Sequence, residues 1–160
     1  MDATQQRPQQ RQPEILSLED VLKRVPLLKR IAKDSSESVE GRRKAKEFLE
    51  ELTIISKKFS SSEIEETTNS LRREINECDR ALESYEKEVR DLGGILRDPG
   101  RGLTYFYSQR DGRKIFLIWE LREPDLLCWH ELDETFSDRV PVDLAAGAPA
   151  GSGLDLPERG

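Results

Sequence analysis

A regular alternation of hydrophobic positions runs through the middle of the chain. Apolar or small side chains recur four and then three residues apart at Ile64, Thr68, Leu71, Ile75, Cys78, Leu82, Tyr85, Val89 and Leu92. This heptad spacing places all of them on one seam of a helix that packs against another helix. Ser62 with Glu65 has the pattern of a capping box, and Gly93-Gly94 is a stop signal. The pattern predicts a helix over residues 62–92, about 45 Å long.

A second helical pattern precedes this one. Ser17 is a favourable N-cap, with Asp20 at the third helical position. The apolar face consists of Leu18, Val21, Leu22, Val25, Leu28, Ile31 and Ala32 and, after a change of phase, of Ala45, Phe48, Leu52, Ile55 and Phe59. Pro26 predicts a kink or a restart, and residues 34–41 predict a weakened stretch. Serines at 60–62 turn the chain, so the two helices are expected to form an antiparallel hairpin.

The chain after the hairpin has the composition of a β-meander. Residues 103–108 and the β-prone run 114–121 flank Asp111-Gly112, a signal for a tight hairpin turn. Glu123-Pro124 predicts a second turn, and residues 126–131 predict a third strand. The middle strand is apolar on both faces, which implies cover on two sides. We therefore predict an α+β fold: a long antiparallel two-helix hairpin, coiled-coil-like, with a small three-stranded antiparallel β-meander.

The helix lengths predict how the two parts meet. If residues 28–58 lie alongside residues 62–92, then residues 16–27 extend past the end of the second helix, where the strands begin. Three isolated strands are not stable, so the overhang is expected to cover the middle strand. The predicted contacts join Leu18, Val21, Leu22 and Val25 with Ile115, Leu117 and Trp119.

Composition narrows the classes of function. Of the 160 residues, 35% are hydrophobic and 36% are charged, which favours long helices with a narrow apolar stripe over a large core. The net charge of −6 disfavours broad binding to nucleic acid or to anionic membrane. The longest apolar run, residues 115–119, is too short to span a bilayer, and the first residues lack the order of a signal peptide. Cys78 and Cys128 have no paired spacing, which predicts two reduced thiols in a cytoplasmic protein.

Shifts in composition divide the chain into three parts. Residues 1–14 predict a disordered N-terminal segment, residues 15–142 one domain, and residues 143–160 a flexible tail. The tail contains Leu154-Asp-Leu-Pro, a form that suits docking of a short peptide into a groove on a partner protein. A terminus without a role is the simpler interpretation. Deleting residues 143–160 is expected to leave folding and oligomeric state unchanged.

Several motifs carry a resemblance to a known family. They are Asp98-Pro-Gly-Arg-Gly-Leu, Asp111-Gly-Arg, Leu117-Ile-Trp-Glu-Leu-Arg-Glu-Pro and Trp129-His-Glu-Leu-Asp. With the start Val25-Pro-Leu-Leu, they resemble domain-of-unknown-function family 2203, a group of small bacterial proteins, from about Leu16 to about Pro141. The resemblance implies a bacterial, cytoplasmic origin and supports the predicted architecture. It implies no activity and no cofactor.

His130 is the single histidine and the first candidate for chemistry. Oxygens of Glu131, Asp133, Glu134 or Asp138 could join its imidazole around a divalent metal, or the imidazole could act as a general base. The candidate metal ligands are His130, Glu131 and Asp133. A structural histidine beside solvated acids is the simpler interpretation, because no HxH, HExxH or CxxC spacing is present.

Arginines and aromatic residues provide two further candidates. Arg97 and Arg101 flank Asp98-Pro-Gly, which lacks the phosphate-loop pattern and predicts a tight turn. Both arginines could bind an anion or a carboxylate of the group from Glu131 to Asp138. A platform for single-stranded nucleic acid could be built from Tyr105, Phe106, Tyr107, Trp119 and Trp129. The core of the meander is the simpler role for these aromatic side chains, so nucleic acid is an unlikely partner.

The absence of any convergent catalytic set and the unbroken heptad favour a non-enzymatic interaction or scaffolding protein. Two helices alone leave apolar surface exposed, so self-association into a homodimer with four packed helices is expected. One alternative is a metal-binding module or metal-dependent enzyme centred on His130. A second alternative is binding of single-stranded nucleic acid on the meander.

Overall fold

The computed structural model of the chain describes residues 14–143, so nearly all of the predicted N-terminal segment and tail lies outside the described residues. Helix α1 spans Leu18–Ser56 and helix α2 spans Ser62–Asp91. Five strands follow: β1 Gly94–Asp98, β2 Leu103–Arg110, β3 Arg113–Trp119, β4 Cys128–Glu131 and β5 Val140–Pro141. They form one antiparallel sheet in chain order. The α+β prediction is confirmed. No described helix has a stretch long and apolar enough to cross a membrane.

The prediction of three strands is wrong, because the sheet has five. Strand β1 begins at Gly94, within the glycine pair that also ends α2, and Gly93 has a φ of 91°. The ring of Phe106 lies 2.8 Å from the place where a Cβ of Gly94 would be, so a glycine is required there. Strand β5 contains only two residues and has no propensity signal. Its pairing with Cys128 and Trp129 defines it.

Helix α1 is continuous from Leu18 to Ser56, so it does not restart at Pro26 and is not interrupted at residues 34–41. Its start is as expected, since Ser17 and Asp20 form a reciprocal capping box. Within the stretch predicted to be weak, Ser35 is fully buried and its hydroxyl donates to the carbonyl of Pro99 at 2.7 Å. Gly41 lies against Cys78 of α2. Contacts with the sheet and with α2 therefore outweigh the poor local propensity around Pro26 and residues 34–41.

The heptad seam of α2 faces α1. Its cap is Ser61, which accepts a hydrogen bond from the Ile64 N–H at 3.1 Å, so the predicted capping box of Ser62 with Glu65 is wrong. None of the nine seam residues is exposed, but only Leu71 and Val89 are fully buried. One neighbouring helix thus covers the seam only in part.

The start of α1 packs on the inner face of the sheet. Helix α1 is nine residues longer than α2, an overhang of about 14 Å. One core cluster combines Leu18, Val21 and Leu28 with Ile115, Leu117, Trp119, Phe106 and Trp129. Val25 packs against this cluster, whereas Leu22 is 38% exposed at its rim. The overhang covers the middle strand as the helix lengths predict.

The outer face of the sheet has its own core. Phe116 and Ile118 of β3 pack with Leu103, Tyr105 and Cys128. The 3₁₀ turn Phe136–Asp138 contributes the Phe136 ring to this cluster. Strand β3 is therefore covered on both faces, as its continuous apolar sequence predicts. The β2–β3 turn is also as predicted, with φ of 52° at Asp111 and 78° at Gly112.

Replacing Gly102 with alanine should destabilise the fold far more than replacing Gly112. Both glycines have positive φ, which costs an L residue about 1–2 kcal/mol. A Cβ at Gly102 would also lie 2.6 Å from the Cβ of Ala32 and 2.9 Å from that of Leu121, whereas one at Gly112 meets nothing within 4 Å. Urea unfolding should show a loss of about 1 kcal/mol for G112A and about 3 kcal/mol for G102A. Equal losses would contradict the close packing of this turn on α1.

Candidate functional site

His130 lies inside the outer face of the sheet and is only 2% exposed. Its Nδ1 lies 2.6 Å from the carbonyl oxygen of Glu131, and its Nε2 lies 3.4 Å from the hydroxyl of Tyr105. The rings of Tyr105 and Phe116 meet the imidazole edge-on, with centroids at 5.5 and 5.7 Å. A neutral imidazole that donates from Nδ1 and accepts at Nε2 satisfies both contacts. Protein atoms thus engage both ring nitrogens.

The neighbouring carboxylates point to other partners. Glu131 forms an ion pair with Arg113. The carboxylate of Glu134 accepts from the Glu131 N–H at 2.9 Å, and that of Asp138 caps the 3₁₀ turn. Asp133 is exposed. Among residues 14–143, no three His, Cys, Asp or Glu side chains come together in a way that could hold a metal ion.

Arginines lie over the aromatic rings of the outer face. The guanidinium of Arg97 lies 4.6 Å from the Tyr105 ring centroid, and those of Arg101 and Arg139 lie 4.7 and 3.8 Å from that of Phe136. Burial raises the pKa of the Tyr105 hydroxyl, and the three arginines act in the opposite direction. Arginine side chains thus cover the rings of Tyr105 and Phe136 on the outer face by cation–π stacking.

The carboxylate partner of Arg101 is Glu120, which the sequence interpretation did not identify. Glu120 is 4% exposed, and its oxygens lie 3.0 Å from Arg101 Nη2 and 3.1 Å from Arg122 Nη2. The Leu121 N–H donates to the Arg101 carbonyl, which places the end of β3 beside the turn at 98–102. The expectation that Arg101 binds the group from Glu131 to Asp138 is therefore wrong. The sequence does contain a signal for this partner, because Glu120 is a carboxylate that directly follows a strand with apolar residues on both faces.

The two tryptophans lie on the inner face, away from His130. Trp119 is 1% exposed, and its Nε1 donates to the Pro124 carbonyl at 2.9 Å. Trp129 is 7% exposed, with the Arg110 guanidinium 4.4 Å from its ring centroid. Of the five proposed platform residues, Tyr105 and Tyr107 belong to the outer cluster, and Phe106 belongs to the inner one with both tryptophans. These side chains do not form one exposed stacking surface.

The most exposed large apolar side chains lie instead at the far end of the hairpin. Phe48, Ile54, Ile55 and Phe59 are 48%, 64%, 44% and 64% exposed, and we call them the tip patch. The nine candidate residues predicted from the sequence thus lie in three places: on the outer face, near the 3₁₀ turn Phe136–Asp138, and in the inner core. No described cavity brings them together.

The chain belongs to the family described as Uncharacterized conserved protein (DUF2203), whose model matches residues 15–142. This confirms the resemblance over nearly the extent expected from the motifs. Neither curated proteins nor solved structures gave a significant match. Because the family is uncharacterised, function has to be argued from the residues themselves.

The two thiols should react slowly, and at different rates. Burial raises the pKa of Cys128, and burial together with Glu74 and Asp79 raises that of Cys78. A raised pKa means that less thiolate is present at pH 8 than in a free cysteine, and the thiolate is the reactive form. With a thiol-specific disulfide reagent, half-buried Cys78 should react before buried Cys128. In the native protein Cys128 should react about 100-fold more slowly than it does in the urea-unfolded protein. The variants C78S and C128S assign the phases; fast labelling of native Cys128 would contradict its burial.

Replacing His130 with phenylalanine tests the metal alternative. The change leaves the Tyr105 hydroxyl and the Glu131 carbonyl without their partner, so we expect about 1–3 kcal/mol less stability. If His130 is not a ligand, millimolar Mg²⁺ or Mn²⁺ and micromolar Zn²⁺ should change the Tm of the native protein and of H130F by the same amount. An ion that stabilises the native protein but not H130F would revive the metal site.

Proposed function

We propose that the chain is a non-enzymatic interaction or scaffolding protein of the bacterial cytoplasm that self-associates through its helical hairpin as a homodimer. The observation that carries this proposal is the tip patch, with four large apolar side chains 44–64% exposed at one end of the molecule. Large apolar side chains left exposed near one another on a protein surface can mark an interaction site.

Near the tip, the apolar face of α1 is wider than the part of it that α2 covers. Ala45 and Leu52 are seven residues apart on one line of the helix, and both are buried against Leu71 of α2. Phe48 and Ile55 are also seven residues apart and form the adjacent line, yet both remain exposed. An apolar stripe of this width is typical of a helix with two helical neighbours. Within residues 14–143, α2 is the only helix that packs against this part of α1.

The seam of α2 is also only partly buried. Seven of its nine residues are half-buried, and the core of the distal hairpin contains only Ala45, Leu52 and Leu71, with Leu49 and Ile75 packed against it. A second copy that lays its tip patch on this one would provide the missing layer, because a two-fold axis brings the same surface of both copies together. The result is a four-helix arrangement of the distal hairpins.

The His130 alternative has no comparable support. Both ring nitrogens are engaged by protein atoms, and the adjacent carboxylates serve in an ion pair and in caps. The nucleic-acid alternative would need one aromatic surface, whereas the aromatic residues are divided between two cores. Self-association is the function class that the exposed features favour.

Charges placed in the tip patch should abolish the dimer. In the double variant F48E/I55E, each new carboxylate would be buried in the dimer without a partner. The free energy needed to bury these charges should exceed the free energy that holds the dimer together. We expect the native chain to sediment as a dimer at micromolar concentration and the variant as a monomer, with dimer affinity at least about 100-fold weaker. Analytical ultracentrifugation measures this directly.

The control is I95E/L132E, which adds the same charge at sheet-side residues that are 36% and 41% exposed. It should remain dimeric, and circular dichroism should show unchanged helix content in both variants. A native chain that stays monomeric at all concentrations up to about 100 μM, or a control that dissociates equally, would overturn the proposal.

A further inference from the structure

A second apolar feature lies at the other end of the molecule, beside the overhang of α1. A cleft of about 260 Å³ opens between the first turns of α1 and the loop after β3. Leu22, Val25 and Pro26 line one wall. The other wall consists of Trp119, Pro124, Asp125, Leu126 and Leu127, and the hydrogen bond from Trp119 Nε1 to the Pro124 carbonyl holds this loop in place.

Pro26 removes one backbone N–H donor from the part of α1 that lines the cleft. In a helix the carbonyl of residue 22 normally accepts from the N–H of residue 26, but Pro26 has no N–H. The Leu22 carbonyl therefore lacks its intrahelical donor, and both Leu22 and Pro26 line the cleft. An occupant with apolar side chains and a free backbone N–H, such as an extended peptide, matches this combination.

The course of the chain after β5 identifies the occupant. Pro141 pairs with Cys128, and the Val142 N–H donates to the Leu127 carbonyl at 2.8 Å. In an antiparallel ladder each further residue moves one position back along the partner, so a continuation of this register would lead towards Asp125 and Pro124. Those residues belong to the wall of the cleft. The C-terminal segment thus leaves the domain at the cleft.

We propose that the cleft binds the C-terminal segment of its own chain, with Leu154 and Leu156 as the inserted side chains. Two residues apart in an extended segment, they point to the same side about 7 Å from each other. Pro157 disfavours a helix there. The 12 residues from Val142 can reach about 40 Å, far more than the cleft requires. If the register continued, Leu144 would lie opposite Asp125, which makes Leu144 the competing occupant.

The test uses the chain truncated after residue 143 and a synthetic peptide of residues 149–160, followed by amide chemical shifts in NMR spectra. The peptide should shift the amide signals of the non-proline residues in 22–27 and 119–127, and a peptide with L154A/L156A should not. Leu22→Glu in the protein should weaken binding at least about tenfold. Leu27→Glu is the matched control, because Leu27 is 37% exposed, close to the 38% of Leu22, and does not line the cleft.

In spectra of the full-length chain without added peptide, the same amides should already have the chemical shifts of the bound state, and these bound positions should be present at every protein concentration. Bound positions that appear only at high concentration would mean that a second copy supplies the segment, which overturns the proposal. Loss of the bound positions in L144A but not in L154A/L156A would also overturn it, as would identical spectra of full-length and truncated chains. The same comparison in F48E/I55E separates this contact from the self-association of the hairpin, since the two surfaces lie at opposite ends of α1.

Discussion

Strand β3 has to bury apolar side chains on both faces, and the rest of the architecture provides that cover. Ile115, Leu117 and Trp119 require an apolar layer on one side, while Phe116 and Ile118 require another. The overhang of α1 supplies the first layer, and the rings of Tyr105 and Phe136 supply most of the second. The end of α2 adds Val89 to the same inner core, and the additional length of α1 allows its first turns to cover β3 as well.

The same constraint leaves the distal hairpin with too little core. Because the first turns of α1 pack on the sheet, its second half pairs with the distal part of α2, and no third element among residues 14–143 covers that pair. The exposed Phe48 and Ile55 are the consequence, beside a buried line that α2 does cover. The two ends of α1 therefore differ in burial: the first turns complete the inner core, and the last turns leave large apolar side chains exposed.

Polar groups that look chemical in the sequence are mostly part of the packing. His130 joins an edge-on aromatic cluster, and Arg97 and Arg139 stack on rings of the outer face. Buried Glu120 holds Arg101 and Arg122 where β3 ends next to the turn at 98–102. Breaking such a buried pair leaves an uncompensated charge, so these ion pairs hold the turn against the end of β3.

Local signals in the sequence determined both helices, the hairpin turn at Asp111-Gly112 and the cover of β3, because periodicity and turn chemistry act over a few residues. Tertiary contacts decided the rest. Ser35 and Gly41 keep α1 continuous through contacts with Pro99 and Cys78, which are distant in sequence. Strands β1 and β5 exist because β2 and β4 offer them pairing partners, and Glu120 meets Arg101 only once the sheet forms. Neighbouring residues of the candidate site are separated for the same reason: alternate residues of a strand point to opposite faces, so Trp129 and His130 lie in different cores.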